Sequence, residues 1–586
     1  MMKRLIIHLS AAVIYLMSGC SEAFLEENPV GTFFPEGSLE TQQDAQAAVD
    51  GVYVAMGRRN GFMDHSGVRY LNFGSSHQVE GSWPLRDWTF TASDGAFINI
   101  WSALYAGINN ANWAMKAIAD VPEGTFFAEY PGADGQTRTL RERYIAEARF
   151  MRAVAYWHLV NAWGNVPLIT EPYLDGGQDF QVEQGDMTTG FQLIIEDLEA
   201  CIQTLPNKST YRQEEAHRPS SGAAKAMLAK TYLYLGDYTK YQVTNRSVSL
   251  GSADELYDRA IQLAGEVIES GEFALYDDFR MTTSTLTEYG VEYMFAFPHQ
   301  EDANGNFDQM GARTTPPENP VGTIGPSWRG NRHVQHDLVR QMPFDYRRWI
   351  GIYYAPRSRR GYYPTKYWDM RDLRSQNLTS NDFTIIRYAE LLLVYADAAN
   401  ERNNGPTAQA AEYLSQIRQR GTRFFGTATP DGEVAYEQTW GAFGTEFTPQ
   451  DTLLFTESDD RANNNQNPIA VDYSDVDFSV GVPVPVDGSR TSRPTVAYDT
   501  LYYTNAADLS ALSYEQFSRE VWNEYDYELL YEGTRTFDFF RKGRLQDMEV
   551  LNRYVRLGVI QDRNYLFPIP GQELIANPNL VQNPGW

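Results

Sequence analysis

Two groups of residues set the chemistry open to this chain. Near the N-terminus the small pair Ser18-Gly19 precedes Cys20, with Lys3 and Arg4 upstream. A cysteine sulfur can take up a lipid, and the peptidase that prepares it admits only a small residue just before it. The apolar stretch over residues 5–17, interrupted by His8 and Ser10, is too short to span a bilayer. Met17 stands where leucine is preferred, three residues before the cysteine. Residues 1–19 therefore read as a removed lipoprotein signal, and Cys20 as the acylated first residue of the mature chain. Farther on, Asp64, His65, Trp83, Asp87 and Trp88 gather around Gly81 and Pro84. Indole faces stack on the CH-rich faces of sugar rings, and carboxylates fix the hydroxyls beside them, so an exposed arc of this composition suits a saccharide. The same rings packed under their own loop would be ordinary core.

Other chemistries find less support. Asp302, Asn304, Asn306 and Asp308 alternate as in a calcium loop, but Phe307 stands where glycine is required and no glutamate follows at the twelfth position. His333 and His336 have no nameable third ligand for zinc. There is no Gly-x-Ser-x-Gly elbow, phosphate loop or His-Glu-x-x-His helix. No cofactor or metal is implied. Carboxylates are too abundant for counting to dismiss a paired-acid glycosidase.

The elements that must position these residues are mostly helices. Apolar residues recur at helical spacing over 41–56, 101–120, 140–163, 190–205, 223–235, 256–270, 387–400, 407–419 and 514–531, with a further short helix over 534–543. In the 256–270 segment Leu256, Ala260, Leu263, Ala264, Val267 and Ile268 make one apolar stripe. Gly164-Asn165 with Pro167 ends the 140–163 helix, Ser220 or Ser221 caps the next but one, and Gly236-Asp237-Tyr238 is expected to turn the chain. Helix pairs of this kind resemble tetratricopeptide repeats. Residues 298–384 and 426–509 resist a helical reading, and their aromatics argue against disorder, so they read as a loop-rich lobe laid on the helical scaffold. Arg347, Arg348, Arg357, Arg359, Arg360, Lys366, Arg371 and Arg374 form the one basic and aromatic stretch. Two readings fit it: guanidinium groups awaiting an acidic glycan, or a face paired with surrounding acids.

Bulk properties narrow the function. Removing residues 1–19 leaves 567 of 586 residues and takes the formal charge from −27 to about −29. Such a surface repels phosphate backbones, so no nucleic-acid partner is expected. With Cys20 acylated, Cys201 has no cysteine to pair with, and its place on an apolar helix face makes it an inert buried thiol. Aromatic residues are 13% of the chain, which either core packing or sugar stacking explains.

Several stretches resemble the SusD/RagB family of Bacteroidetes outer-membrane lipoproteins. They are AEARFMRAVAYWHLVNAWGNVPL from Ala146, RPSSGAAKAMLAKTYLYLGDY from Arg218, IIRYAELLLVYADAAN from Ile385, ELLYEGTRTFDFFRKG from Glu528 and LFPIPGQELIANPNLVQNPGW from Leu566. Their order, behind a lipidation signal, covers essentially the whole length. The resemblance implies a single all-α domain over 20–586: about four tetratricopeptide-like units carrying a ligand-binding lobe, with insertions near 298–384 and 426–509. It implies a cell-surface lipoprotein that binds an oligosaccharide, in some members a peptide, and delivers it to a SusC-like TonB-dependent transporter without chemistry on the ligand. The acids after Cys20, Glu22 and Glu26-Glu27, resemble the export signal of such proteins. In the family the loops corresponding to 298–368 join the Trp83 region in framing the site, which adds Trp328, Arg329, Tyr362 and Tyr363 as candidates. Lys366 and Tyr367 resemble a family motif on the scaffold side. Two rival functions remain: a repeat scaffold that binds only protein, and an all-helical glycoside hydrolase.

Overall fold

Helix starts and stops follow local chemistry. Thr139 and Glu142, Ser252 and Glu255, and Ser513 and Gln516 each form a reciprocal capping box at a helix N-terminus. Left-handed residues close helices at Gly271 (φ 69°) and Asn404 (φ 51°). The computed structural model describes residues 39–57, 76–80, 84–122, 127–173, 180–283, 287–298, 382–422, 501–532, 534–551 and 555–586, with residues 333–334, 338, 342, 347, 352–355, 361–364, 366, 454–455, 469–470 and 482–483. The N-terminal signal, Cys20 and the calcium-like 302–308 segment lie outside the described residues, as do Asp64, Trp83, Trp328 and Arg329.

The main helices are α1 (Gln42–Gly57), α2 (Gly95–Ala119), α3 (Leu140–Trp163), α4 (Met187–Thr204), α5 (Ser221–Tyr241), α6 (Ala253–Ser270), α7 (Tyr388–Asn403), α8 (Ala408–Thr422), α9 (Tyr514–Glu528) and α10 (Arg535–Arg541). Each helix from α1 to α8 packs on the next in sequence, α3 also touches α1, and α7 also touches α5. That nearest-neighbour pattern is a helical-repeat array, and α1–α8 make four consecutive pairs of it among the described residues. Helix α9 lies across α7, and α10 against α5.

Helix α3 is the spine. Phe150, Met151, Tyr156, Trp157, Leu159, Val160 and Trp163 are all buried on it. Its end is closed by the C-terminal segment: Phe567 N donates to Ala162 O (2.9 Å), Trp163 Nε1 donates to Pro568 O (2.9 Å), and Asn583 Nδ2 donates to Trp163 O (2.9 Å). The bonds to Ala162 O and Trp163 O satisfy carbonyls that a helix end leaves without partners.

Two features depart from expectation. Gly236-Asp237-Tyr238 does not turn the chain, because α5 runs through it to Tyr241 and leaves at Gln242 in a left-handed conformation. Gly236 serves a close approach instead: a Cβ there would stand 2.5 Å from the ring of Tyr257 on α6. Second, Tyr293–Phe297 and Phe383–Arg387 pair as a fully buried antiparallel ribbon, with Arg387 at the strand end and α7 starting at Tyr388. Short continuous apolar runs are ambiguous between helix and strand, which is why 383–387 read partly as loop and partly as helix.

Candidate ligand-binding surface

The two segments nominated from sequence meet in space. Val79 pairs with Val334 and Glu80 with His333 as a short antiparallel ladder. His333–Val334 packs beside Gly361–Pro364, itself paired with Ile352–Ala355. In the chain, Trp83 follows Glu80 by three residues and Trp328 precedes His333 by five. Tyr362 and Tyr363 lie within the paired strand.

A ladder of two residue pairs is too short to set its own register. The register is held from below by three consecutive buried polar residues, Ser76, His77 and Gln78. Asp526 on α9 accepts from Gln78 Nε2 (3.1 Å), and its other oxygen lies 3.2 Å from His77 Nε2. Arg535 donates to both oxygens of the same carboxylate (2.9 and 2.7 Å). Burial would raise the Asp526 pKa, but Arg535 and His77 outweigh it and hold the group well below the usual carboxylate range.

Helix α9 holds the other side of the surface as well. Glu520, Glu524 and Glu528 recur every four residues, and Glu532 continues the row past the helix end. Arg347, from the loop lobe, donates to Glu524 and Glu528, the latter at 2.8 Å. Lys366 donates to Glu528 O (2.6 Å) and to Glu532 (2.5 Å). Arg387 reaches Glu292 (2.6 Å), Glu528 (2.7 Å) and Glu532 (2.6 Å), Arg420 reaches Glu292 (3.0 Å) and Glu528, and Arg418 binds Glu520 and Glu524 (2.8 Å each). Burial alone would raise the Glu528 pKa, yet Arg420, Arg387, Arg347 and Lys366 keep it far below normal. Burial lowers Lys366 to about 8 despite Glu532. The paired reading of the basic stretch thus holds at two of its members, and the acidic-glycan alternative is corrected there. Arg347 and Lys366 are buried and internally neutralised; the other six lie outside the described residues.

Trp88 is a second correction. Its side chain is 3% exposed, its ring stacks on Phe567 (centroids 6.4 Å apart, planes at 15°), and Phe90 lies 5.5 Å away. Trp88 adopts a left-handed backbone (φ 55°) at the end of the single turn Pro84–Asp87, which drives the indole inward beside the C-terminal segment. It belongs to the core under the surface. Asp87 is partly exposed and its carboxylate pairs with Arg86. Tyr-Tyr doublets at 353–354 and 362–363, with Arg360-Gly361 between them, were the overlooked hairpin signal.

Among the described residues no group of His, Cys, Asp and Glu is arranged for a metal, and no helix is long and apolar enough to cross a membrane. Cys201 is buried, donates to Ala146 O (3.2 Å), and burial pushes its thiol pKa up.

A repeat array that pins an aromatic loop lobe through one acid-lined helix is a tetratricopeptide-like binding scaffold. The chain belongs to the SusD/RagB family. Residues 24–233 match the family described as starch-binding and associating with the outer membrane, and residues 353–427 and 490–586 match the SusD family. SusD-like protein P2 of Formosa agariphila is 25% identical over 455 residues, 71% of this chain and 82% of that protein. A SusD superfamily protein from Parabacteroides distasonis superposes with TM-score 0.64 at 19% identity, covering 93% of this chain and 99% of that one. A laminarin-binding SusD-like protein superposes with TM-score 0.61 at 20% identity, covering 93% and 100%.

Proposed function

We propose that this chain is a cell-surface lipoprotein that binds an oligosaccharide or polysaccharide without cleaving it and passes it to a SusC-like TonB-dependent transporter. The mature protein is anchored in the outer membrane through acylated Cys20. The observation that carries this reading is the meeting of the 79–80, 333–334 and 361–364 strands, which joins the two chain regions whose composition suits a saccharide. Family membership and the laminarin-binding relative support a glycan as the ligand. Trp83, Trp328, Arg329 and Asp64 are the proposed contacts outside the described residues, with Asp87 and the tyrosine ribbon beside them.

Affinity electrophoresis of residues 21–586 through neutral and acidic polysaccharides tests it, with Trp83→Ala and Trp328→Ala run alongside. Retardation by a glycan that emerges uncleaved, and its loss in at least one variant, is the expected result. Cleavage products would make the protein a hydrolase. No retardation by any glycan, with co-purification of a barrel partner, would make it a protein-only scaffold.

A further inference from the structure

Among the described residues six large apolar side chains are well exposed, and three of them stand together. Phe180, Ile575 and Val581 are 55%, 87% and 71% exposed. Hydrogen bonds hold the 180–184 segment against the C-terminal segment. Asn577 Nδ2 donates to Val182 O (2.8 Å), Asn579 Nδ2 donates to Gln181 O, and Val581 N donates to Gln184 Oε1 (2.8 Å). The Phe180 ring packs on Tyr173 (centroids 4.7 Å apart), whose N–H donates to Asn109 Oδ1 on α2 (2.8 Å). The apolar tips are thus presented by tied-down segments, and such a patch marks a contact surface. It is also poor in charge. From Asn564 to Trp586 the one charged side chain is Glu573, which is partly buried and accepts from Trp101. Between Phe180 and Gln184 the one charged side chain is Glu183.

We infer that this patch is the docking site of the chain's own leader, residues 21–38, through Phe24 and Leu25. The inference rests on the removed signal and acylated Cys20 proposed above. Reach selects the docking residues. Helix α1 runs beside the first half of α3, with Tyr144 O–H donating to Gln46 Oε1 (3.5 Å). The patch lies at the far end of α3, where Gln184 Nε2 donates to Asn165 O (2.8 Å). From Tyr144 to Asn165 is ~31 Å at ~1.5 Å per residue. An extended chain covers up to ~50 Å from Phe24 to Leu39, but only ~17 Å from Phe34 to Leu39, at ~3.3 Å per residue. Phe24-Leu25 therefore reaches the patch, and Phe33-Phe34 does not. Charge selects the same surface. The leader carries Glu22, Glu26, Glu27 and Glu36 with no base, so the acid-rich remainder of the protein repels it and the charge-poor patch does not. Tethering gives the leader an effective concentration on the order of millimolar, so a contact of two side chains suffices. The docked leader brings Cys20 out beside the C-terminal segment and turns that end of the array toward the membrane.

The test uses residues 21–586. Phe24→Cys with Ile575→Cys should form an intramolecular disulfide under mild oxidation about tenfold faster than Phe24→Cys with Val54→Cys. Val54 is the control because it is 70% exposed on α1 and within reach of an undocked leader, and the native Cys201 is buried. Cleavage by endoproteinase Glu-C after Glu26 and Glu27 should run about tenfold faster in Ile575→Asp and Val581→Asp than in the parent. Both side chains are exposed, so the melting temperature should not move. Equal disulfide rates for the two pairs, or equal leader cleavage in parent and variants, would overturn the docking and leave the lipoprotein reading standing. Disulfides formed only between molecules would make a second copy the occupant and overturn it too. So would loss of binding to phosphatidylethanolamine vesicles in Ile575→Asp at unchanged leader cleavage, which would assign the patch to the membrane. A cell-derived protein whose intact mass retains residues 1–19 would overturn the reading beneath the proposal and with it the placing of the anchor.

Discussion

Replacing Glu528 by glutamine tests whether the buried charge cluster on α9 holds the loop lobe in place. The cluster is balanced: Arg347, Arg387, Arg418, Arg420 and Lys366 face Glu292, Glu520, Glu524, Glu528 and Glu532. Glu528 has no exposed side-chain surface and takes bonds from three guanidinium groups. Glutamine keeps the shape but removes the charge and turns an amide N–H₂ toward cations. One net positive charge is then left in the interior. Removing one partner of a buried pair costs about 3–5 kcal/mol, and Glu528→Gln should fall in that range because the remaining carboxylates are already engaged. An exposed pair such as Lys116–Asp120, with side chains 41% and 63% accessible, sets the contrast: Asp120→Asn should change stability by less than about 0.5 kcal/mol. Urea titration of residues 21–586, followed by tryptophan fluorescence and near-ultraviolet circular dichroism, measures both, provided the two probes coincide. The penalty should also depend on pH. The folded pKa of Glu528 lies below its ordinary 4.5, so its contribution is complete above 4.5 and is lost progressively as pH falls toward the depressed value. Parent and variant should therefore converge in acid. A Glu528→Gln variant within about 1 kcal/mol of the parent at pH 7 would refute the reasoning.

Three further outcomes follow from the packing and the charges. Gly236→Ala should destabilise by about 1–2 kcal/mol, since overpacking against Tyr257 outweighs the ~1 kcal/mol that alanine normally gains inside a helix; a more stable variant in urea would contradict the close approach. Trp88→Ala should cost about 3–5 kcal/mol and lower the yield of folded protein, and loss of glycan affinity at unchanged stability would return Trp88 to the binding surface. Lys366 has a folded pKa of about 8 against 10.5 unfolded, so the unfolded chain binds more protons between those values and stability rises with pH across that window. Lys366→Met should remove that rise in denaturation series at pH 7.5, 9 and 10, whereas equal slopes in parent and variant would show that Lys366 keeps an ordinary pKa.

Much of the scaffold was readable from local pattern. The Leu256 stripe predicted α6 from residue 256, three residues inside the start that Ser252 caps, and the predicted 140–163 helix has the observed limits of α3, because period and local stop signals are properties of a few adjacent residues. Gly236-Asp237-Tyr238 misled for a reason equally physical. A glycine before a polar residue looks like a turn from within the chain, while its use here depends on a tyrosine ring brought in by the next helix. Trp88 looked like an exposed stacking ring because its partner Phe567 is hundreds of residues away. The acidic row of α9 and the basic residues Arg347 and Lys366 were each visible, but nothing in sequence says that opposite charges so far apart neutralise one another.

By itself, then, the chain determined most of its helices and its family resemblance, since these depend on spacing and composition within short windows. The tertiary structure alone decided which aromatics, such as Trp88, became core and which basic residues, such as Arg347 and Lys366, were internally paired. Burial and ion pairing are properties of what meets in space, and a side chain's role changes from ligand contact to core packing when a distant segment covers it.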